Sequence, residues 1–138
     1  MKPIPLIPGC LETPFIEGTL AAGFPSSADD FEQRPLDLHE LLVEHPAATF
    51  FVKVEGDSMI DAQIESGDIL IVDRSITAQI GKIVVALVNG AFTVKRLIKK
   101  GDKIFLYAAN SRYQPIDVTD DEDFLVWGVV TYVIHRAR

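Results

Sequence analysis

Ile83-Val84-Val85-Ala86-Leu87-Val88-Asn89-Gly90-Ala91-Phe92-Thr93-Val94-Lys95-Arg96-Leu97-Ile98 is the stretch on which the fold turns. The run Ile83 to Val88 is unbroken apolar and β-branched, too short for a helix and suited to a strand covered on both faces. Asn-Gly favours positive φ at both central turn positions, which is the requirement of a type I′ hairpin. A two-residue turn at Asn89–Gly90 pairs Val88 with Ala91, and counting back along the ladder pairs Val84 with Lys95.

Outward from this hairpin the pattern repeats. Thr49 to Val54 is aromatic and β-branched, and Ile69 to Val72 is another short apolar run. Lys103 to Ala108 and Phe124 to Ile134 follow, set apart by turn residues such as Gly101-Asp102. The expected fold is mostly β: a compact domain of short, largely antiparallel strands. There is no internal repeat and no low-complexity segment.

A single helix is expected near the start, over about residues 37–45. Asp37 with Glu40 makes a capping box, Leu36 with Leu41 the matching hydrophobic staple, and Pro46 a stop. Residues 1–30 read as an extended N-terminal arm, because Pro3, Pro5, Pro8, Pro14 and Pro25, with Gly9, Gly18 and Gly23, leave no run for a regular element. Leu6, Ile7, Leu11, Phe15, Ile16, Leu20 and Phe24 make that arm apolar, as suits a segment lying in a groove rather than a free tail. The β-rich domain is expected over residues 31–138.

Composition removes several function classes. With 138 residues, 48% hydrophobic and 24% charged, the chain suits one ordinary globular domain. A net charge of −7 and a pI near 4.8 argue against binding nucleic acid through its phosphates. The one basic cluster, Lys95, Arg96, Lys99 and Lys100, reads as a strand end and a solvated turn in all but Lys95. Cys10 is the only cysteine, which excludes an internal disulfide and suits a reducing cytoplasm. No apolar run approaches a membrane span, and no secretory leader pattern opens the chain.

The segment Val54-Glu55-Gly56-Asp57-Ser58-Met59 carries the chemistry. A strand ends at a glycine, and a serine follows at a turn into a short helical stretch, Met59 to Ile64. Such a turn exposes the hydroxyl and points neighbouring N–H groups at one spot, the requirement of an oxyanion hole. Most Gly-x-Ser turns are nonetheless plain turns or caps. A nucleophile needs a base. His39, His45 and His135 lie in no motif, and Ile60 stands where a nucleophile elbow needs its second glycine. Lys95, set against Val84 by the hairpin register, is the better candidate, since desolvation lowers a lysine's pKa and makes it a base. The alternative, an ordinary strand lysine with its ammonium in water, is the one that spacing alone favours.

The resemblance to a known family bears on that choice. Gly56-Asp57-Ser58-Met59, Ser66-Gly67-Asp68-Ile69-Leu70-Ile71-Val72-Asp73 and Asn89-Gly90-Ala91-Phe92-Thr93-Val94-Lys95-Arg96-Leu97 resemble the LexA-like Ser–Lys self-cleaving family. The nearest branch is that of the UmuD, MucA and ImpA mutagenesis proteins. Ala21-Ala22-Gly23-Phe24-Pro25-Ser26 is similar to the family's cleavage region, and the likeness runs from about Leu20 to the C-terminus.

The resemblance implies Ser58 as nucleophile, Lys95 as general base, and the N–H groups of Ser58 and Asp57 as oxyanion hole. It implies Ala22–Gly23 as the bond cut, with Ala–Gly standing where UmuD has Cys–Gly. It further implies a homodimer, stimulation by the RecA–single-stranded DNA filament, and service to a UmuC-like Y-family polymerase in the SOS response of a bacterial cytoplasm. No cofactor or metal is implied. With 22 residues ahead of Gly23, no repressor-type DNA-binding domain is expected. The rival expectation is a β-rich binding module whose arm docks a partner uncut. Asp120, Asp121, Glu122 and Asp123 read as a solvated loop rather than a cation site, and Trp127 as a core or interface residue.

Overall fold

The computed structural model describes residues 12–20, 22–23 and 32–138, and these fall into two compact units that separate between Glu44 and His45.

The first unit holds a two-stranded antiparallel ribbon, β1 (Glu12–Glu17) and β2 (Glu32–Asp37), followed by α1 (Leu38–Leu42). A strand at Glu12–Glu17 corrects the expectation that the arm holds no regular element. Prolines break strands by withholding a ladder N–H, but a lone ribbon is edge on both sides and tolerates them. Pro14 indeed faces Pro35 in the register. Arg34 ties the ribbon together, pairing with Glu17 and lying over the Phe15 ring at 5.0 Å.

Helix α1 starts as its cap predicts, the Asp37 carboxylate accepting the Glu40 N–H at 3.3 Å. It ends earlier than expected. Val43, buried, takes an extended backbone at φ −118° while its N–H still reaches the His39 carbonyl at 2.8 Å. Burying that β-branched side chain stops the helix before Pro46, which opens a separate 3-10 turn, Pro46–Ala48.

The second unit is a seven-stranded sheet in the order β3-β4-β9-β5-β6-β7-β8, antiparallel at every pairing. The strands are β3 (Thr49–Lys53), β4 (Ile69–Asp73), β5 (Ile83–Val88), β6 (Ala91–Lys100), β7 (Lys103–Tyr107), β8 (Ile116–Asp117) and β9 (Phe124–Ile134). Asn89 and Gly90 both have positive φ, 50° and 80°, and Val84 lies opposite Lys95 as the hairpin chemistry requires.

Alternation along β5 explains its unbroken apolar run. Val85 enters a core cluster with Val52, Met59, Ile64, Leu70 and Val72, while Val84 and Ala86 face a second cluster with Leu97, Leu106, Val118 and Val129. Both faces of the sheet are thus covered.

β9 lies between β4 and β5 and carries an extra residue against each: Trp127 where it passes β5 and Thr131 where it passes β4. Such bulges bend a strand and fix its register. The Thr131 hydroxyl donates to the Ile71 carbonyl at 3.2 Å. Trp127 packs against the first core cluster, 5.1 Å from Phe50 and 5.7 Å from Phe92, with Arg74 4.5 Å over its ring. Trp127 is half-buried at the edge of that cluster. Asp120–Asp123 is a turn that closes on itself, Asp121 accepting the Asp123 N–H at 2.8 Å.

Beside the first bulge, Gly128 is a glycine for lack of room. A Cβ there would stand 2.6 Å from Val72 Cγ1 and 3.4 Å from the Asp73 carbonyl. Gly128→Ala should therefore cost about 1–3 kcal/mol through overpacking. Urea unfolding checks this; an unchanged midpoint would mean that β4 yields freely.

Candidate active site

Ser58 is delivered by a turn whose every part is held. Beyond β3, Val54 continues the pairing, its N–H donating to Asp68 and its carbonyl accepting from Gly67, both at 2.8 Å. Gly56 then takes φ +99°, a backbone open to glycine at little cost, and donates its N–H to the Ser66 hydroxyl at 3.2 Å. After Ser58 the chain enters a 3-10 turn, Ile60–Ala62. Met59, 2% exposed, plugs the first core cluster, and its sulfur accepts the Ala109 N–H at 3.3 Å. The residue next to the serine is therefore an anchor, and the serine itself stays half-buried at the surface.

Lys95 comes from the middle of β6. Its side chain is buried, with 8% exposure. Nζ reaches the Ser58 hydroxyl at 3.2 Å, the Thr93 hydroxyl at 2.8 Å and the Val94 carbonyl at 3.1 Å. Burial pushes the lysine below its ordinary pKa, since desolvation penalises the ammonium. Both protonation states find partners here. An ammonium donates to all three oxygens; a neutral amine donates to Thr93 and Val94 and offers its lone pair to the Ser58 O–H. That arrangement can accept a proton from the serine without moving. Lys95 is thus not an ordinary strand lysine.

A cleft of about 360 Å³ opens beside this pair. Val54 to Gly56 and Ser58 form one side, Phe92 to Val94 the other, with Val85 and Met59 beneath. Among the described residues no protein group accepts from the N–H of Asp57 or of Ser58.

The histidines serve elsewhere. His45 pairs with Asp73 at 2.6 Å and His135 with Asp68 at 2.7 Å, at the two ends of β4. Burial raises both carboxyls, but hydrogen bonds outweigh it and leave each below the usual range: Ser75 and His45 act on Asp73, the Glu65 N–H and His135 on Asp68. His39 lies on α1.

Ala22 and Gly23 are exposed and belong to the first unit, and a Cβ on Gly23 would meet nothing within 4 Å. Ala21, Phe24, Pro25 and Ser26 of the same motif, and Cys10, lie outside the described residues. Of two further partners, Thr93 was legible in the sequence as a residue on the face of Lys95, and Asn110 was not. Thr93 bears a signal, since residues two apart in a strand share a face. Asn110 bears none: its hydrogen bond to Asp57 spans 53 positions of chain.

The β domain thus brings a buried lysine within hydrogen-bond reach of a serine at a strand-to-turn junction. Residues 14–131 match the family model described as Peptidase S24-like, and the chain belongs to that family, in its LexA-like, UmuD/MucA-type group. It is 45% identical to "Protein MucA" of Escherichia coli over 86% of this chain and 82% of that protein. It is 40% identical to "Protein ImpA" of Shigella flexneri, covering 91% and 85% of the two chains. "LexA repressor 2" of Pseudomonas syringae pv. tomato is 40% identical over 94% of this chain but 63% of its own length. At the level of the family the chain is a UmuD-like, self-cleaving peptidase. Among the described residues no helix is long and apolar enough to cross a membrane.

Proposed function

We propose that the chain cuts its own Ala22–Gly23 bond with Ser58 as nucleophile and Lys95 as general base. The observation that carries the reading is the 3.2 Å approach of a buried, pKa-lowered Lys95 amine to the Ser58 hydroxyl. In the first step the Ser58 O–H proton passes to the neutral amine while Oγ bonds to the Ala22 carbonyl carbon. The carbonyl π pair moves onto oxygen, where the N–H groups of Asp57 and Ser58 receive it. The C–N bond then breaks, and the Lys95 ammonium gives its proton to the Gly23 amine. Water opens the resulting Ala22 ester by the same route, with Lys95 again taking and returning the proton.

The cut form, a homodimer, serves a UmuC-like Y-family polymerase in error-prone synthesis past DNA lesions. The RecA–single-stranded DNA filament stimulates the cut during the SOS response in the bacterial cytoplasm. Support for these roles comes from the likeness to MucA and ImpA over most of both chains. The test is intact mass after incubation at alkaline pH. A fragment that begins at Gly23 is expected. A chain whose mass never changes, alone or with the filament, would make it a binding module whose arm docks uncut.

A further inference from the structure

The loop after β7 grips the Ser58 turn from behind. Asn110, 9% exposed, donates from Nδ2 to the Asp57 carbonyl at 3.0 Å, and its Oδ1 accepts the Arg112 N–H at 3.0 Å. Because a backbone N–H can only meet the oxygen end of the amide, this second bond sets which way the side chain faces. The same Asp57 carbonyl also accepts the Ile60 N–H at 3.2 Å. Tyr113 adds a hold on the side chain, its hydroxyl donating to Asp57 Oδ1 at 2.5 Å.

The Asp57 carbonyl and the Ser58 N–H belong to one peptide group. In a planar trans peptide the two point in opposite directions, and no cis peptide occurs among the described residues. Whatever fixes the carbonyl therefore aims the N–H. Two donors on the carbonyl oxygen also polarise the group and strengthen its N–H as a donor.

From this geometry we infer that Asn110 is a positioning residue for self-cleavage: by holding the Asp57–Ser58 peptide plane, it aims the Ser58 N–H at the developing oxyanion. The inference rests on the Ser58–Lys95 reading and extends it. Asn110 touches neither substrate nor base. Its effect reaches the reaction through the peptide plane, at the one moment when charge develops on the scissile carbonyl. Losing an oxyanion donor outright costs about a hundred- to a thousandfold; losing its alignment should cost about ten- to a hundredfold.

Two variants and two readouts test it. Asn110→Leu keeps the volume and removes the donor. Asn110→Asp keeps the acceptor for the Arg112 N–H and removes the Nδ2 donor. Retained thermal unfolding identifies a variant fit to read, and two variants keep the test open if one fails to fold. The rate of self-cleavage against pH should lose about ten- to a hundredfold of its plateau in both variants. The midpoint should stay unmoved in Asn110→Leu, where Lys95 keeps its surroundings, and be raised if at all by the added carboxylate of Asn110→Asp. The second readout is alkylation by iodoacetamide of the thiol introduced by Ser58→Cys, mapped to position 58 to set it apart from Cys10. Displacement at a saturated carbon makes no oxyanion, so adding Asn110→Leu should leave that rate unchanged.

An unaltered plateau in a folded variant would overturn the inference. So would a parallel fall in alkylation, which would mean that Asn110 merely holds the serine in place. Failure of the wild-type chain to cut would overturn the Ser58–Lys95 reading with it, whereas wild-type cutting beside an unaffected Asn110→Leu overturns this inference alone.

Discussion

Lys95→Ala is expected to leave a folded chain uncut, with self-cleavage down by at least about a hundredfold, the usual worth of a positioned general base. No other group stands ready to take over. Among the described residues, the side chains that reach Ser58 and its turn include Lys95, Asn110, Ser66, Tyr113 and Arg112, and His45 and His135 are held by carboxylates at the two ends of β4. Lys95→Arg should fail as completely, because a guanidinium stays protonated across the accessible range.

The pH dependence distinguishes this base from a histidine. Only the neutral amine can accept the serine proton, so the rate should climb with pH in proportion to the neutral fraction. It should level off above the lysine's own pKa, which burial places below the ordinary value of about 10.4. A histidine would instead give a rise centred near about pH 6.5 and a plateau by about pH 8. Cleavage followed by electrophoresis across that range checks the sign. A rate that falls as pH rises across that range would remove Lys95 from the mechanism.

Gly23→Glu should abolish the cut with the fold unharmed. The added side chain meets open space in the first unit, since nothing lies within 4 Å of a Cβ at that position. Thermal unfolding should thus be unchanged. In the act of cutting, however, residue 23 must sit against Ser58, and a carboxylate there crowds the bond and repels the charge growing on the Ala22 oxygen. Continued cleavage at the same place and rate would show that another bond is the substrate.

What could be read from the sequence was what neighbouring residues decide among themselves. Asn89–Gly90 settles its hairpin within a few residues, and the register that puts Lys95 opposite Val84 follows by counting. β5 and β9 begin and end where their apolar runs do. β1 and β2 were missed because Pro14 and Pro35 mask a pairing that closes across an intervening stretch of chain, and β8, only Ile116–Asp117, is too short to show a period. The end of α1 was overshot because burial of Val43, a tertiary event, precedes the stop at Pro46.

The site divides in the same way. Ser58 at its turn was visible from Gly56 onward, but the role of Lys95 came from likeness to a family, since strand spacing alone points an average lysine to water. Asn110 was out of reach, because its partner is fixed by how the loop after β7 folds back over the turn.

The position of β9 has a consequence in time. In the sheet it stands between β3–β4, which lead into and out of the Ser58 turn, and the strands β5 to β8, which carry Lys95. Neither group of strands pairs with the other except through it. β9 is also the last strand along the chain. While the protein is being synthesised, Ala22–Gly23 emerges first, then Ser58, then Lys95, and the strand that joins the Ser58 and Lys95 halves of the sheet comes after all of them. On the proposed reading, the growing chain therefore carries its target bond before the Ser58 and Lys95 halves of the site are joined. The two bulges, Trp127 and Thr131, fix the register in which that joining strand pairs.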